Sequence, residues 1–377
     1  MKKSTKLLVA LSTALLVGGG VLLAQDADEV KPEWKVSGHL GTGLVANFDT
    51  PYLKWAGPDY GNRLRLNLNW SYGNIGVRSR VQFSGSSYNT TFTTKVDGTN
   101  ATTKSTNGFI DPKLIYAFGY ANLFDDKLEI QAGRLFTNDF GANNLGYGMY
   151  GDGVSAVVKP INGLSVGAKV YVSNSGEDTI SPETFFYTNA LYGVAYEQDL
   201  FSVAVGYGRE ASSGTGDSLI SGITVSPIDQ LSILWENDVF HLFGFEGKTQ
   251  ELLSNLVVDI APIDPLTIDL GGTADIQFAT DIAYSVWIEG FVSYDINDNF
   301  TCDIGGGYTF GNDAGEAGVD GGINENSWWI RPGVSYHINK NADIGLHYAY
   351  ASGSGGYYLT SVTNTGNEVQ LEFQWRF

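Results

Sequence analysis

Apolar and polar residues alternate without a break along the last stretch of the chain. Every second position is apolar (Val369, Leu371, Phe373, Trp375, Phe377), and the positions between them are polar or charged. A period of two places all the apolar side chains on one face of a β-strand and the polar ones on the other. The pattern therefore predicts a final strand whose apolar face is covered by no later segment.

The same alternation recurs from Trp34 onward as a unit of strand, tight turn, strand and longer loop. The first strands are predicted at 34–47, 62–72, 75–84, 109–122 and 128–136. Clusters of Gly, Pro, Asn or Asp predict eight tight turns, at 73–74, 124–126, 162–163, 198–199, 227–230, 262–265, 297–299 and 339–341. Eight turns join about sixteen strands, and the first and last strands raise the prediction to about eighteen. Sixteen is the alternative, because one miscounted hairpin changes the number by two.

On the predicted strands, every second residue is apolar over most of the chain, and these residues share one face. Its members include Leu64, Leu66, Leu68, Trp70, Leu114, Tyr116, Phe118, Tyr120, Val166, Val170, Phe201, Val203, Ile304 and Leu346. In a transmembrane barrel that face meets lipid and the polar face lines an aqueous interior. A secreted β-sandwich or solenoid is the alternative, but it would bury only one face of so many strands. We predict an all-β fold, a transmembrane antiparallel β-barrel with short periplasmic turns and longer external loops.

The first residues predict export from the cytoplasm. Lys2, Lys3 and Lys6 precede an apolar run over 7–24 with a small residue at its end. This order is typical of a signal peptide of the Sec pathway, with a membrane anchor as the alternative. We therefore predict a signal peptide over 1–24, one barrel domain over 25–377 and a location in the bacterial outer membrane.

Composition and charge narrow the classes of function. Forty-eight Gly, 21 Tyr, 20 Phe and 8 Trp suit curved strands with aromatic girdles. Without residues 1–24 the chain has 19 basic and 41 acidic residues, which excludes nucleic-acid binding by phosphate neutralisation. Cys302 is the only cysteine, so a cysteine-based metal site is excluded as well. We predict no cofactor and no metal.

Charged residues on the inward parity divide by sign along the chain. The basic set is Arg63, Arg65, Arg78, Arg80, Lys113 and Lys169, together with Arg134, which strict alternation points outward from a strand end. The acidic set lies on later strands and comprises Asp259, Asp269, Asp275, Glu289, Asp303, Asp343 and Glu372. Opposed charged walls in a water-filled pore would orient and filter small polar solutes. The alternative is that these residues pair across strands and only solvate the interior.

Two segments carry a resemblance to known proteins. The final strand resembles the last strand of bacterial outer-membrane barrels, which implies that Phe373, Trp375 and Phe377 form the signal read by the insertion machinery. The stretch Ala-Gly-Arg-Leu-Phe-Thr-Asn-Asp-Phe-Gly over 132–141 resembles the start of the constriction loop of general bacterial porins. This resemblance is best over 115–172 and implies that a loop at 137–150 folds into the barrel, where Asp139 and Asp152 face the arginines. It also implies a passive diffusion channel and a possible homotrimer.

These observations predict a porin for small hydrophilic solutes and ions, in contact with outer-membrane lipid. An adhesin or surface antigen that binds through loops 85–108 and 311–326 is the main alternative. A barrel enzyme would need a Ser/His or Asp/His pair, and His39, His337 and His347 have inward parity near the seam of the barrel. No serine or acid lies at a signature spacing from them, so we predict that the protein is not an enzyme.

Overall fold

A computed structural model describes residues 31–48, 52–55, 62–85, 111–135, 151–174, 189–210, 216–243, 249–278, 282–312, 327–352 and 366–377. Its regular elements are nineteen β-strands: β1 (Glu33–Asn47), β2 (Tyr52–Trp55), β3 (Asn62–Tyr72), β4 (Ile75–Gly85), β5 (Asp111–Leu123), β6 (Leu128–Leu135), β7 (Gly151–Ile161), β8 (Leu164–Asn174), β9 (Asn189–Gln198), β10 (Phe201–Glu210), β11 (Gly216–Ile228), β12 (Leu231–Phe240), β13 (Glu251–Ile263), β14 (Leu266–Gln277), β15 (Ala283–Asn297), β16 (Phe300–Gly311), β17 (Ser327–Asn339), β18 (Ala342–Ser352) and β19 (Gly366–Arg376). Within these ranges, no helix has the length and apolar character needed to cross a membrane. The predicted signal peptide lies outside the described residues.

The strands close into one antiparallel ring of eighteen positions. Each strand from β3 to β19 pairs with its neighbour in sequence, and β1 closes the ring against β19. The short strand β2 pairs with β1 at Leu44–Asn47, just beyond the stretch where β1 pairs with β3. β2 and β3 therefore share one place in the ring, and the predicted eighteen-stranded barrel is confirmed. The prediction of an uninterrupted loop over 48–61 is wrong because it missed β2.

All eight predicted tight turns are present, and they join the strands at one end of the barrel. The sequence chemistry explains their geometry. Gly163 has a φ of 81°, which a residue without Cβ adopts without steric cost. Phe124, Asp125 and Asp126 between β5 and β6 also have positive φ values, of 56°, 54° and 62°.

Large hydrophobic side chains cover the outer face of the ring. Exposed examples alternate along the strands and are each 40–49% exposed, including Leu68, Val166, Val205, Trp235, Ile288, Ile304 and Leu346. The positions between them face the interior and are largely polar or glycine. A soluble sandwich would bury the apolar face, so this arrangement is that of a membrane barrel.

A β-bulge in β5 reverses part of the predicted pattern. Arg80 pairs with Tyr116, and the next residue of β4 pairs with Leu114, so Ile115 is the extra residue. One extra residue moves every later side chain of that strand to the other face. Tyr116, Phe118 and Tyr120 therefore lie on the inner face, and their predicted outward placement is wrong.

Candidate functional site: the inner wall of the barrel

The basic part of the inner wall is built by arginines that lie beside tyrosines. The guanidinium of Arg78 lies 4.9 Å from the ring centroid of Tyr120, and that of Arg80 lies 5.2 Å from the ring centroid of Tyr116. Both distances are within the range of a cation–π interaction. The bulge at Ile115 makes these contacts possible, because it brings both rings to the face that carries the arginines.

Amide side chains hold two of the four arginines in place. Arg65 donates from Nε to Oε1 of Gln82 at 2.7 Å, and Arg80 donates from Nε to Oδ1 of Asn67 at 2.7 Å. These bonds use only one N–H of each guanidinium, which has five donors. Arg63 lies on the same face, opposite Gly41 of β1. The four arginines predicted from the sequence thus share one face of the β3–β4 hairpin.

The two predicted lysines occupy different environments on the inner face. Lys113 is exposed and lies opposite Gln82. Lys169 of β8 is fully buried, and it lies opposite Ser155 of β7 and Leu191 of β9. Only Lys113 therefore presents its charge to the interior in the same way as the arginines.

The register separates Arg134 and Asp152 from the rest of the predicted wall. They lie opposite each other on β6 and β7, on the face away from Leu135 and Ser155. Strict alternation predicted that Arg134 points outward, and the pairing of β6 contains no bulge that would move its side chain to the inner face. The predicted inward placement of Asp152 is corrected for the same reason. Asp139 and the loop over 137–150 lie outside the described residues.

The acidic part of the inner wall lies on β12 to β15. Asp269 faces Asp259 directly across β13 and β14, Asp275 lies six residues further along β14 on the same face, and Glu289 lies on β15. Two acids of β12 also escaped the sequence prediction: Glu236 and Asp238 are 0% and 1% exposed. The alternation within β12 would have found them, because both occupy its inward parity.

The basic and acidic parts lie on opposite sides of the ring. β12 and β13 are nine positions from β3 and β4 in a ring of eighteen, which is half of the circumference. The electric field between walls of opposite sign runs across the lumen and acts on any charged solute in it.

Asp303 belongs to a local network near the seam. His347 lies between two carboxylates, with Nε2 at 3.4 Å from Asp303 and Nδ1 at 3.7 Å from Glu372. Arg331 donates to Glu372 at 3.0 Å. Asp303 therefore pairs across strands, which is the alternative interpretation that the sequence left open for the charged residues.

The three histidines considered for a barrel enzyme, His39, His337 and His347, differ in their contacts. His337 has the most developed contacts: Nδ1 lies 2.6 Å from Asp343, and Nε2 lies 2.8 Å from the hydroxyl of Thr301. That hydroxyl also donates to Asp295 at 2.5 Å. In the part of the chain that the structure describes, no group of three or more His, Cys, Asp or Glu side chains is arranged to hold a metal ion.

The predicted assembly residues lie at the closing seam. Trp375 and Phe377 are 58% and 51% exposed on the outer face, and Phe373 is half-buried on the same parity. Phe377 exchanges two backbone hydrogen bonds with Gly38 of β1, at 2.8 and 3.1 Å.

Comparison with known proteins identifies the fold. No family model and no curated protein sequence matches the chain. Solved structures do match: OpdK from Pseudomonas aeruginosa is 11% identical, with a TM-score of 0.56 over 92% of this chain and 98% of its own. A BenF-like porin from Pseudomonas fluorescens gives the same four values. OmpT of Vibrio cholerae is 11% identical, with a TM-score of 0.52 over 93% of this chain and all of its own.

These similarities confirm the predicted outer-membrane porin fold. At such low identity they show the fold alone, and they do not favour the general porins in particular. OmpT is described as an outer membrane protein and not as a porin, so similar folds extend beyond proteins that are named as channels. One fold supports unrelated functions. We therefore correct the prediction that excluded an enzyme: a barrel enzyme stays among the functions that this fold supports.

Proposed function

We propose that the protein is an outer-membrane channel through which small hydrophilic solutes and ions diffuse passively. The observation that carries this proposal is the division of the inner wall, with arginines on β3–β4 and carboxylates half a turn away on β12 to β15. A barrel that needed only a solvated interior would gain nothing from separating the charges, because neighbouring opposite charges stabilise each other more than distant ones.

The proposal includes a place in the cell and a set of partners. The chain is exported through the Sec pathway, loses residues 1–24 and inserts into the outer membrane with the help of the insertion machinery. Lipid covers its apolar outer face, and a homotrimer is the proposed assembly. Fractionation of cell envelopes tests the location, and conductance steps that occur in threes would support a trimer of open pores.

Conductance across a planar lipid bilayer tests the channel itself. We expect stepwise increases in KCl when the purified protein is added, and a purified, folded protein that never raises the conductance would contradict the proposal.

The charge of the wall is tested by the double variant Arg78→Gln, Arg80→Gln. Loss of two cationic groups should move the reversal potential in a KCl gradient toward greater cation selectivity, because fewer positive charges attract chloride. Lys127→Gln is the matched control, since Lys127 is exposed in the turn between β5 and β6 and lies outside the wall. Equal reversal potentials in all three proteins would contradict a selective role for the arginines.

A further inference from the structure

A recess in the acidic wall has a glycine at its centre. On the inner face of β13, β14 and β15, three rows of side chains lie side by side. The middle row is Val257, Gly271 and Glu289, the row toward the external end is Asn255, Thr273 and Trp287, and the row toward the turns is Asp259, Asp269 and Phe291. Because Gly271 has no side chain, the centre of this grid is recessed.

The recess is large enough for a small organic group. Its volume is about 110 Å³, whereas a single water needs roughly 10–15 Å³ of such space. A Cβ built on Gly271 would lie 3.2 Å from Cγ and 3.4 Å from Oε1 of Glu289. The Glu289 side chain therefore borders the space above Gly271, and any side chain at position 271 would press against it.

The chemistry of the walls selects a cation. Asp269 and Glu289 line the recess with carboxylates, and Trp287 and Phe291 line it with aromatic rings. Carboxylates and aromatic faces together suit an organic ammonium ion, because the ring quadrupole attracts a cation whose methyl groups also pack against the ring. A metal ion fits less well, because the described residues contain no metal-binding group of three or more ligands.

Asp269 also lies beside a charge of its own sign. It is directly opposite Asp259, and like charges in that relation destabilise a sheet. In the described part of the chain no ion pair joins either carboxylate to a lysine or arginine. A bound cation would reduce this repulsion.

Residues of the next two strands, β16 and β17, hold one aromatic wall in place. The ring of Phe291 packs against Trp329 with a centroid distance of 5.5 Å. Gly305 provides the space for this contact, since a Cβ there would lie 2.4 Å from the Phe291 ring. Packing against Trp329 therefore supports the Phe291 wall of the recess.

We propose that this recess binds a small organic ammonium ion, with Asp269 and Glu289 as the anionic partners and Trp287 and Phe291 as the aromatic partners. The inference deepens the proposed channel function and rests on it for its physiological meaning. It assigns to the acidic wall a subsite for the cationic end of a solute, and the arginines half a turn away face any anionic end.

Tetramethylammonium chloride is the probe, titrated into detergent-purified protein with tryptophan fluorescence and calorimetry as readouts. We expect saturable binding that potassium chloride does not reproduce. Gly271→Val should abolish it by filling the recess, and Asp269→Asn or Trp287→Leu should weaken it roughly tenfold. Asp275→Asn is the matched control: it removes the same charge from the inner face of the same strand outside the recess, and should leave binding within about twofold.

The outcomes separate this inference from the channel proposal. A protein that conducts KCl but does not bind the probe, or whose binding survives both Gly271→Val and Asp269→Asn, overturns the recess and leaves the channel standing. Saturable binding that is lost in Asp269→Asn and kept in Asp275→Asn supports the recess, even in a protein that raises no conductance. Native folding of each variant is verified by its heat-modifiable migration in electrophoresis.

Discussion

At the residue scale, two arginine–carboxylate pairs near the seam differ in burial. The side chains of Arg331 and Glu372 are 17% and 8% exposed, and their atoms lie 3.0 Å apart. Arg376 lies 2.9 Å from Asp343, but its side chain is 55% exposed. Water screens an exposed pair, whereas removal of one partner from a buried pair leaves a charge in a poorly solvated place.

This difference predicts unequal effects of the same substitution. Arg331→Met should lower the free energy of unfolding by about 3 kcal/mol, because it leaves Glu372 without its guanidinium. Arg376→Met should lower it by at most about 1 kcal/mol. Urea titration of the detergent-solubilised barrel measures both values, and an equal loss in the two variants would show that burial does not decide the strength of these pairs.

At the element scale, consecutive glycines of β16 serve different faces. A Cβ on Gly307 would lie 2.3 Å from Nε1 of Trp329 and 3.0 Å from the backbone oxygen of Ile288. A Cβ on Gly306 would approach only the backbone oxygen of Trp329, at 3.4 Å. The inner face of β16 therefore has no space beside Trp329, whereas its outer face is open.

We therefore expect Gly307→Ala to destabilise the barrel by about 1–3 kcal/mol, because Trp329 must leave its position. Gly306→Ala is the matched control and should be neutral or slightly stabilising, since alanine restricts the unfolded chain more than glycine does. Unfolding midpoints and the tryptophan emission maximum measure the two effects. A Gly307→Ala barrel with the stability and emission of the parent would disprove the close packing.

The bulge in β5 shows where alternation stops predicting structure. Parity assigns a face only while the register is regular, and the run Leu114-Ile115-Tyr116 is apolar at three successive positions. Nothing in that run marks which residue is extra, so the sequence could not place Tyr116 and Tyr120 beside the arginines. In β3, by contrast, polar and apolar residues alternate from Arg63 to Tyr72, and its predicted bounds match those of the structure.

At the scale of the whole molecule, the ring was predictable because turns and alternation are local signals. Eight turns, each marked by Gly, Pro, Asn or Asp, determine the number of hairpins and hence the strand count. The recess around Gly271 was not predictable in this way, because it depends on which residues of three strands lie side by side. That alignment follows from the register of the pairing, which a bulge or a longer turn shifts by one residue.

Closure of the ring predicts the role of the last residue. Phe377 joins β19 to β1 through two backbone hydrogen bonds with Gly38, and its ring lies where a Cβ on Gly38 would stand, at 2.3 Å. An unclosed seam leaves the backbone groups of two edge strands unpaired, which is costly in lipid. Deletion of Phe377 should therefore lower the yield of folded, heat-modifiable barrel and leave the single-channel conductance of the assembled fraction unchanged.

Phe201→Ala is the control, because Phe201 is an outer-face aromatic residue, 42% exposed, that begins a strand after a tight turn far from the seam. Equal yields from the two variants would show that closure at Gly38 does not limit assembly.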